Sequence, residues 1–196
     1  MEGDPVPDER ERLLELTARH LLEHGVLDLT LRTLGDAIGS SHRVLLYYFG
    51  SREELISEAL EEAARLSSIH DTFLLGPSDS EPDVLSELVR VWKRVSAKEQ
   101  LPFTRLFLQV VALALHDASR YTKFLEDLPR DWAGAYTRYF EVRAVPAADA
   151  KDLAAEVVGL QRGLQLELAI GSSPEMIDRV FVAAAGRWAD RVAAFA

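Results

Sequence analysis

Between Leu31 and Phe49 the chain reads Leu-Arg-Thr-Leu-Gly-Asp-Ala-Ile-Gly-Ser-Ser-His-Arg-Val-Leu-Leu-Tyr-Tyr-Phe, and few folds accommodate that run. Two short apolar-periodic segments meet at Gly39. Leu34, Ala37 and Ile38 mark one face of the first; Leu45, Tyr48 and Phe49 mark one face of the second, at the i, i+3, i+4 spacing of a buried helical stripe. Glycine supplies the positive φ that a sharp turn between helices requires. Ser41 is placed to cap the second helix, and Ser51-x-x-Glu54 is a capping box that opens a third. With the apolar faces packed together, the second helix still presents His42, Arg43, Leu46 and Tyr47 to water. A packed helix pair that shows one short helix with such a face is the helix-turn-helix, which carries side chains into a DNA major groove.

The rest of the chain is helical in pattern. Residues 1–7, with Gly3, Pro5 and Pro7, read as a loose lead-in. Asp8-x-x-Glu11 has the spacing of a capping box and predicts a helix to about His24, stopped by Gly25, with Leu14, Ala18, Leu21 and Leu22 on its apolar stripe. Val26–Leu29 links it to Thr30. A helix from Ser51 to about Leu66 follows and forms the natural lever between the reading unit and the rest. Gly76-Pro-Ser-Asp-Ser-Glu-Pro82 is the clearest break. Beyond it the pattern predicts helices at about 83–98, 101–116, 119–142, 148–171 and 174–195, with Pro102, Pro146 and Pro174 at helix boundaries. No strand-type alternation persists, so the fold class is all-α.

Composition narrows the function. The chain has 196 residues and 48% hydrophobic side chains, enough for a sizeable core. It has no cysteine, which excludes disulfides, thiol nucleophiles and thiolate metal sites. The longest apolar runs, such as Val110–Leu115, are far short of the roughly 20 residues that span a bilayer. A soluble protein of the cytoplasm, without a membrane partner, is expected. His20 and His24 stand at i, i+4 without a third ligand nearby, and a solvated or capping role suits them. His116 at a helix end suits the helix dipole. No catalytic triad, phosphate loop or dinucleotide fingerprint is visible, so neither enzymatic activity nor a cofactor is expected.

The net charge is −10. Residues 1–60 hold six Arg, no Lys and twelve acids, 6 − 12 = −6. Between residues 30 and 52, however, Arg32, Arg43 and Arg52 face only Asp36. The helix N-termini at Ser41 and Ser51 add backbone N–H groups that suit phosphates. Weak nonspecific DNA binding with a modest salt dependence follows.

The run Thr30–Gly39, then Ser41 and Leu45, then Tyr47-Tyr-Phe-Gly-Ser-Arg-Glu-Glu-Leu55, resembles the DNA-binding domain of the TetR family of transcriptional regulators. That family's pattern is Thr-x-x-x-Ile-Ala-x-x-Ala-Gly-Val-Ser, a Tyr/His-Phe ending, then Ser-Lys-Glu-Glu-Leu. The likeness covers residues 10 to 56 or so, under a third of the chain. It implies a helix-turn-helix domain over 1–56, with the motif at about 30–49. A larger helical domain over 57–196 would bind an effector and dimerise. It also implies that Arg32 touches DNA, that His42, Arg43 and Val44 occupy the variable base-reading positions, and that Tyr47 and Arg52 meet phosphates, with Ser41 at the helix start. Leu46 stands where the family usually has Tyr, and Val44 where it often has Thr; each removes a hydroxyl from the DNA face. Leu46 either touches thymine methyl groups or tucks against the neighbouring helix.

Aromatic residues are frequent between Trp92 and Phe140, and most suit a core. The resemblance implies a small-molecule pocket among these helices for a small apolar effector, with Trp92, Phe103, Phe107, Gln109, Trp132 and Tyr136 as candidates. Gln109 interrupts the apolar run Leu106–Leu115, where an amide needs a partner in protein or water. In the last two helices, Leu153, Val157, Leu160, Leu164 and Leu168, then Val182, Ala185, Trp188 and Ala189, form broad apolar stripes. Together with the resemblance they imply a four-helix homodimer interface, and a homodimer reads two half-sites of a palindromic operator. The expected function is a repressor released from its double-stranded DNA operator by a small molecule. The alternative is a helical small-molecule-binding protein with little DNA affinity.

Overall fold

The computed structural model describes residues 8–67, 77–79 and 83–195, with the side chains of 123 and 127–132 outside that description. Among these residues lie nine α-helices and no strand. They are α1 (Glu9–His24), α2 (Leu31–Ile38), α3 (His42–Phe49), α4 (Arg52–Leu66), α5 (Val84–Val95), α6 (Leu101–His116), α7 (Thr122–Glu141), α8 (Ala147–Ile170) and α9 (Pro174–Ala193); a 3-10 turn at Lys98–Gln100 precedes α6. None of them is long and apolar enough to cross a membrane. The break expected at Gly76–Pro82 and the lead-in at 1–7 lie largely or wholly outside the described residues.

Local chemistry sets the helix ends. The Thr30 hydroxyl accepts from the Thr33 N–H, and the Thr33 hydroxyl accepts from the Thr30 N–H, a reciprocal cap on α2. Ser41 caps α3 through the Val44 N–H at 3.3 Å, and Ser51 caps α4 through the Glu54 N–H at 3.1 Å. Asp8 differs from expectation. It stands at the N-cap of α1 but makes no side-chain cap bond. The first turn of α1 is instead tied by Arg12 to Glu9.

α1 and α4 pack side by side and cradle α2 and α3. Leu13, Ala18, Leu21, Leu34, Leu45, Leu55 and Ile56 are fully buried at their junction. Each large apolar side chain removed from water there contributes about 1.5–3 kcal/mol. Leu34 and Ile38 face this core as expected, whereas Ala37 is exposed. In the larger part, α7 packs along α8, α5 along α9, and α6 bridges to α1, α4 and α8. α4 runs unbroken through residues 56 and 57, so the expected domain boundary falls inside a helix that both parts share.

Candidate nucleic-acid interface

Two glycines shape the reading unit. Gly39 adopts the left-handed conformation, φ 71° and ψ 37°, and turns the chain from α2 into α3. Gly35 lies where a Cβ would come within 3.1 Å of the Ser40 carbonyl, so α2 sits directly against the turn. Leu45 and Phe49 then point inward, with Tyr48 half-buried beside them. The opposite face of α3 carries Ser41, His42, Arg43, Val44, Leu46 and Tyr47, all exposed. Tyr47 is the most open, at 82%, and its ring meets Tyr48 edge-on at 5.0 Å. Leu46 is 40% exposed, on the outward face rather than tucked away. Arg32, on the first turn of α2, is exposed on the same unit.

The charge pattern around this face is selective. Of the six arginines in residues 1–60, Arg10 pairs with Glu58, Arg12 with Glu9, Arg19 with Glu15, and Arg52 with Glu53. Arg32 and Arg43 enter no ion pair among the described residues. The two guanidinium groups left to act on a partner both belong to the helix-turn-helix.

Arg52, expected at a phosphate, is turned inward. Its Nε donates to the Leu29 carbonyl at 2.9 Å and a terminal nitrogen donates to the Val26 carbonyl at 3.3 Å. Arg52 thereby ties the start of α4 to the segment that leads into α2. The same segment is held from the other side. The Gln109 amide oxygen, on α6, accepts from the Val26 N–H at 2.8 Å.

Of the six residues expected to line one pocket, the five with described side chains face different ways. Gln109 reaches the α1–α2 linker. Trp92 stacks on Phe181 at 4.7 Å and donates to Asp178 at 2.8 Å, in the seam between α5 and α9. Phe103 and Phe107 stack on each other along α6 at 6.4 Å. The Tyr136 hydroxyl accepts from Gln161 at 2.8 Å, between α7 and α8. Burial raises the pKa of Tyr136 well above its ordinary value and pushes Tyr139 up to about 12, in the latter case against the opposing Arg143. The side chain of Trp132 lies outside the described residues. An open groove of about 390 Å³ lies at the α6–α7 corner; the described residues that line it are Ala118, Ser119, Thr122, Leu125 and Glu126, none of them among the other five candidates.

The expected dimer residues also divide. Leu153, Val157 and Ala185 are wholly buried inside the protomer, as nearly are Leu164 and Trp188. Trp188 donates to Glu156 at 2.9 Å and so joins α9 to α8. Leu160, Leu168 and Ala189 are partly buried against this core, and only Val182 is open. A different stripe faces outward: Gly159, Gly163, Leu166 and Ile170 on α8, and Met176, Val180 and Ala183 on α9. A Cβ added at Gly159 or Gly163 would meet nothing within 4 Å.

His20 and His24 stack with ring centroids 4.4 Å apart, and burial with the nearby His24 lowers the pKa of His20. Among the described residues no group of three His, Asp or Glu side chains is placed to hold a metal ion.

Residues 13–59 match the family described as bacterial regulatory proteins, tetR family. Similar solved structures span nearly the whole chain. A transcriptional regulator from Rhodococcus sp. Rha1 is 14% identical, with 92% of this chain and 95% of that one covered, at a TM-score of 0.73. SCO4454, a TetR-family transcriptional regulator from Streptomyces coelicolor, is 18% identical, with 93% and 95% covered, at 0.66. EbrR, a multidrug binding protein complexed with imidazole, is 21% identical, with 93% and 96% covered, at 0.63. No curated protein sequence matches the chain.

Proposed function

We propose that this TetR-family transcriptional regulator binds a two-fold symmetric DNA operator as a homodimer and is a repressor that a small molecule releases. The observation that carries the reading is the outward face of α3. His42, Arg43 and Tyr47 project from a short capped helix whose other face is anchored in the core. An arginine on such a helix suits the paired acceptors of guanine, and Val44 and Leu46 suit thymine methyl groups. Arg32 and Tyr47 flank them as phosphate-directed groups, and the capped start of α3 at Ser41 adds backbone donors.

A second copy of the chain suits the outward stripe on α8 and α9. An isologous pairing would cover Leu166, Ile170, Met176 and Val180 and let the chains approach closely at Gly159 and Gly163. Two reading helices then address half-sites about 34 Å apart. For the effector, the likeness to EbrR supports a small organic molecule bound within α5–α8, with Phe103, Phe107, Tyr136 and Trp132 still its candidate neighbours.

Selection of bound sequences from a random duplex library tests the reading. Enrichment of a palindrome is expected, with Arg43→Ala weakening that site by roughly 1–3 kcal/mol and relaxing its base preference. The net charge of −10 favours a second reading, a helical small-molecule-binding protein with little DNA affinity. Enrichment of no sequence by the wild-type chain would decide for it.

A further inference from the structure

The α2–α3 pair hangs on two short stretches of chain. The first is the linker Val26–Leu29, which leads into the α2 cap at Thr30. The second is Gly50–Ser51, which leads into α4. Arg52 joins the two by donating to the Val26 and Leu29 carbonyls, and the Leu29 N–H adds a turn bond to the Val26 carbonyl at 3.3 Å. The helix pair is therefore bracketed, and displacement of the linker carries both helices with it.

One side chain of the larger domain holds that linker directly. The Gln109 amide oxygen accepts the Val26 N–H at 2.8 Å, across 83 residues of sequence. The amide lies on the bare Cα face of Gly25: a Cβ there would sit 2.5 Å from the amide oxygen. Gly25 also has a φ of 76°, so this position suits glycine on two counts. Val26 itself is fully buried. The peptide group contacts are thus divided, with the N–H of Val26 held by α6 and its carbonyl by α4.

We propose that Gln109 is a positioning residue for operator reading, setting the angle at which α3 is presented through its bond to the Val26 N–H. The inference rests on the DNA-binding reading above. It gives α6 its own line to the reading unit, separate from the shared helix α4. A change in α6 of about an ångström breaks a bond of this length, and a ligand that favours the broken arrangement shifts the dimer away from operator spacing.

Three variants test it. Gln109→Leu keeps the size and removes the acceptor. Gln109→Asn keeps the amide but is one methylene too short, and covers the case in which Gln109→Leu does not fold. Gln109→Glu keeps an acceptor at the same reach. Each is titrated with the duplex selected by the wild-type chain, and with that duplex lengthened by one base pair between half-sites. Amide exchange at Val26 is followed without DNA.

The expected result for Gln109→Leu and Gln109→Asn is faster Val26 exchange and about a tenfold loss on the native duplex, the scale of one lost acceptor. They should also lose most of the wild-type preference for native spacing. Gln109→Glu should keep wild-type values on all three readouts. An equal loss on both duplexes would mark a merely structural role and overturn the proposal, as would unchanged Val26 exchange in Gln109→Leu. A wild-type chain that selects no duplex overturns the DNA-binding reading itself, and is told apart from these outcomes by the wild-type titration alone.

Discussion

Arg10 donates twice to Glu58, at 2.9 and 2.6 Å, and its guanidinium also lies 4.8 Å from the centre of the Phe49 ring. One side chain of α1 thus clasps α4 and covers the last residue of α3. Both partners of the pair are partly exposed, which limits its strength. Arg10→Ala is expected to cost about 1–2 kcal/mol, the sum of a modest ion pair and a partly exposed cation–π contact. Urea unfolding at low and high salt checks this, with the ion-pair part of the loss shrinking as salt rises.

Gly39 separates backbone strain from packing. A Cβ there meets nothing within 4 Å, yet φ is 71°. Gly39→Ala should cost about 1–2 kcal/mol from conformation alone. Thermal unfolding reads the loss. A cost near zero would mean that the turn relaxes to another conformation.

The two faces of α8 predict opposite outcomes for neighbouring leucines. Leu166 is 47% exposed on the outward stripe, whereas Leu164 is buried in the protomer core. Leu166→Glu should give a folded, fully helical monomer by sedimentation and circular dichroism. Leu164→Glu should instead lower stability by about 3 kcal/mol or more, because it buries an unpaired charge. A wild-type chain that sediments as a monomer at micromolar concentration would contradict the dimer.

Glu87 predicts an acid limb. Its carboxylate is wholly buried, which raises its pKa, but Arg90 grips both oxygens at 2.6 Å and the Ser78 N–H bonds it too. The net effect is a pKa below the ordinary 4.5. The stabilisation is therefore complete above pH 4.5 and lost as pH falls through the lower folded value. Glu87→Gln should flatten this limb of the stability–pH profile while lowering stability at neutral pH by about 1–3 kcal/mol.

Arg52 predicts a failure of conservative exchange. One guanidinium spans two carbonyls, and a lysine ammonium lacks that fork. Arg52→Lys should lose operator affinity nearly as far as Arg52→Ala, read by titration with the selected duplex.

The helix-turn-helix was legible because its signals are local. Gly39, Ser41 and the Leu45–Phe49 stripe follow one another at steps of about one turn or less, so spacing alone locates them. The orientation of α8 was not legible. Leu153, Val157 and Leu164 make a regular apolar stripe, but it faces the protomer's own core. The outward stripe contains Gly159 and Gly163, which carry no hydrophobic signal, and only two large residues on that helix. The roles of Gln109 and Arg52 were hidden for another reason. Both bond to backbone groups of the Val26–Leu29 segment, and backbone partners 23 to 83 residues away leave no mark in residue type.

The pairing of four of the six N-terminal arginines with acids of the same chain bears on how the protein finds its site. Of those six, Arg32 and Arg43 alone stand outside the ion pairs of the described residues, on a body carrying ten excess negative charges. Beyond about 8–10 Å, salt screens both the attraction and the repulsion. Nonspecific residence is then brief, since few counterions are released on contact. Short scans along the double helix between dissociations are therefore expected. Arrival at a DNA site by repeated landings from solution is the expectation, with a rate that follows copy number and not the length of flanking DNA; association rates measured on short and long duplexes check it.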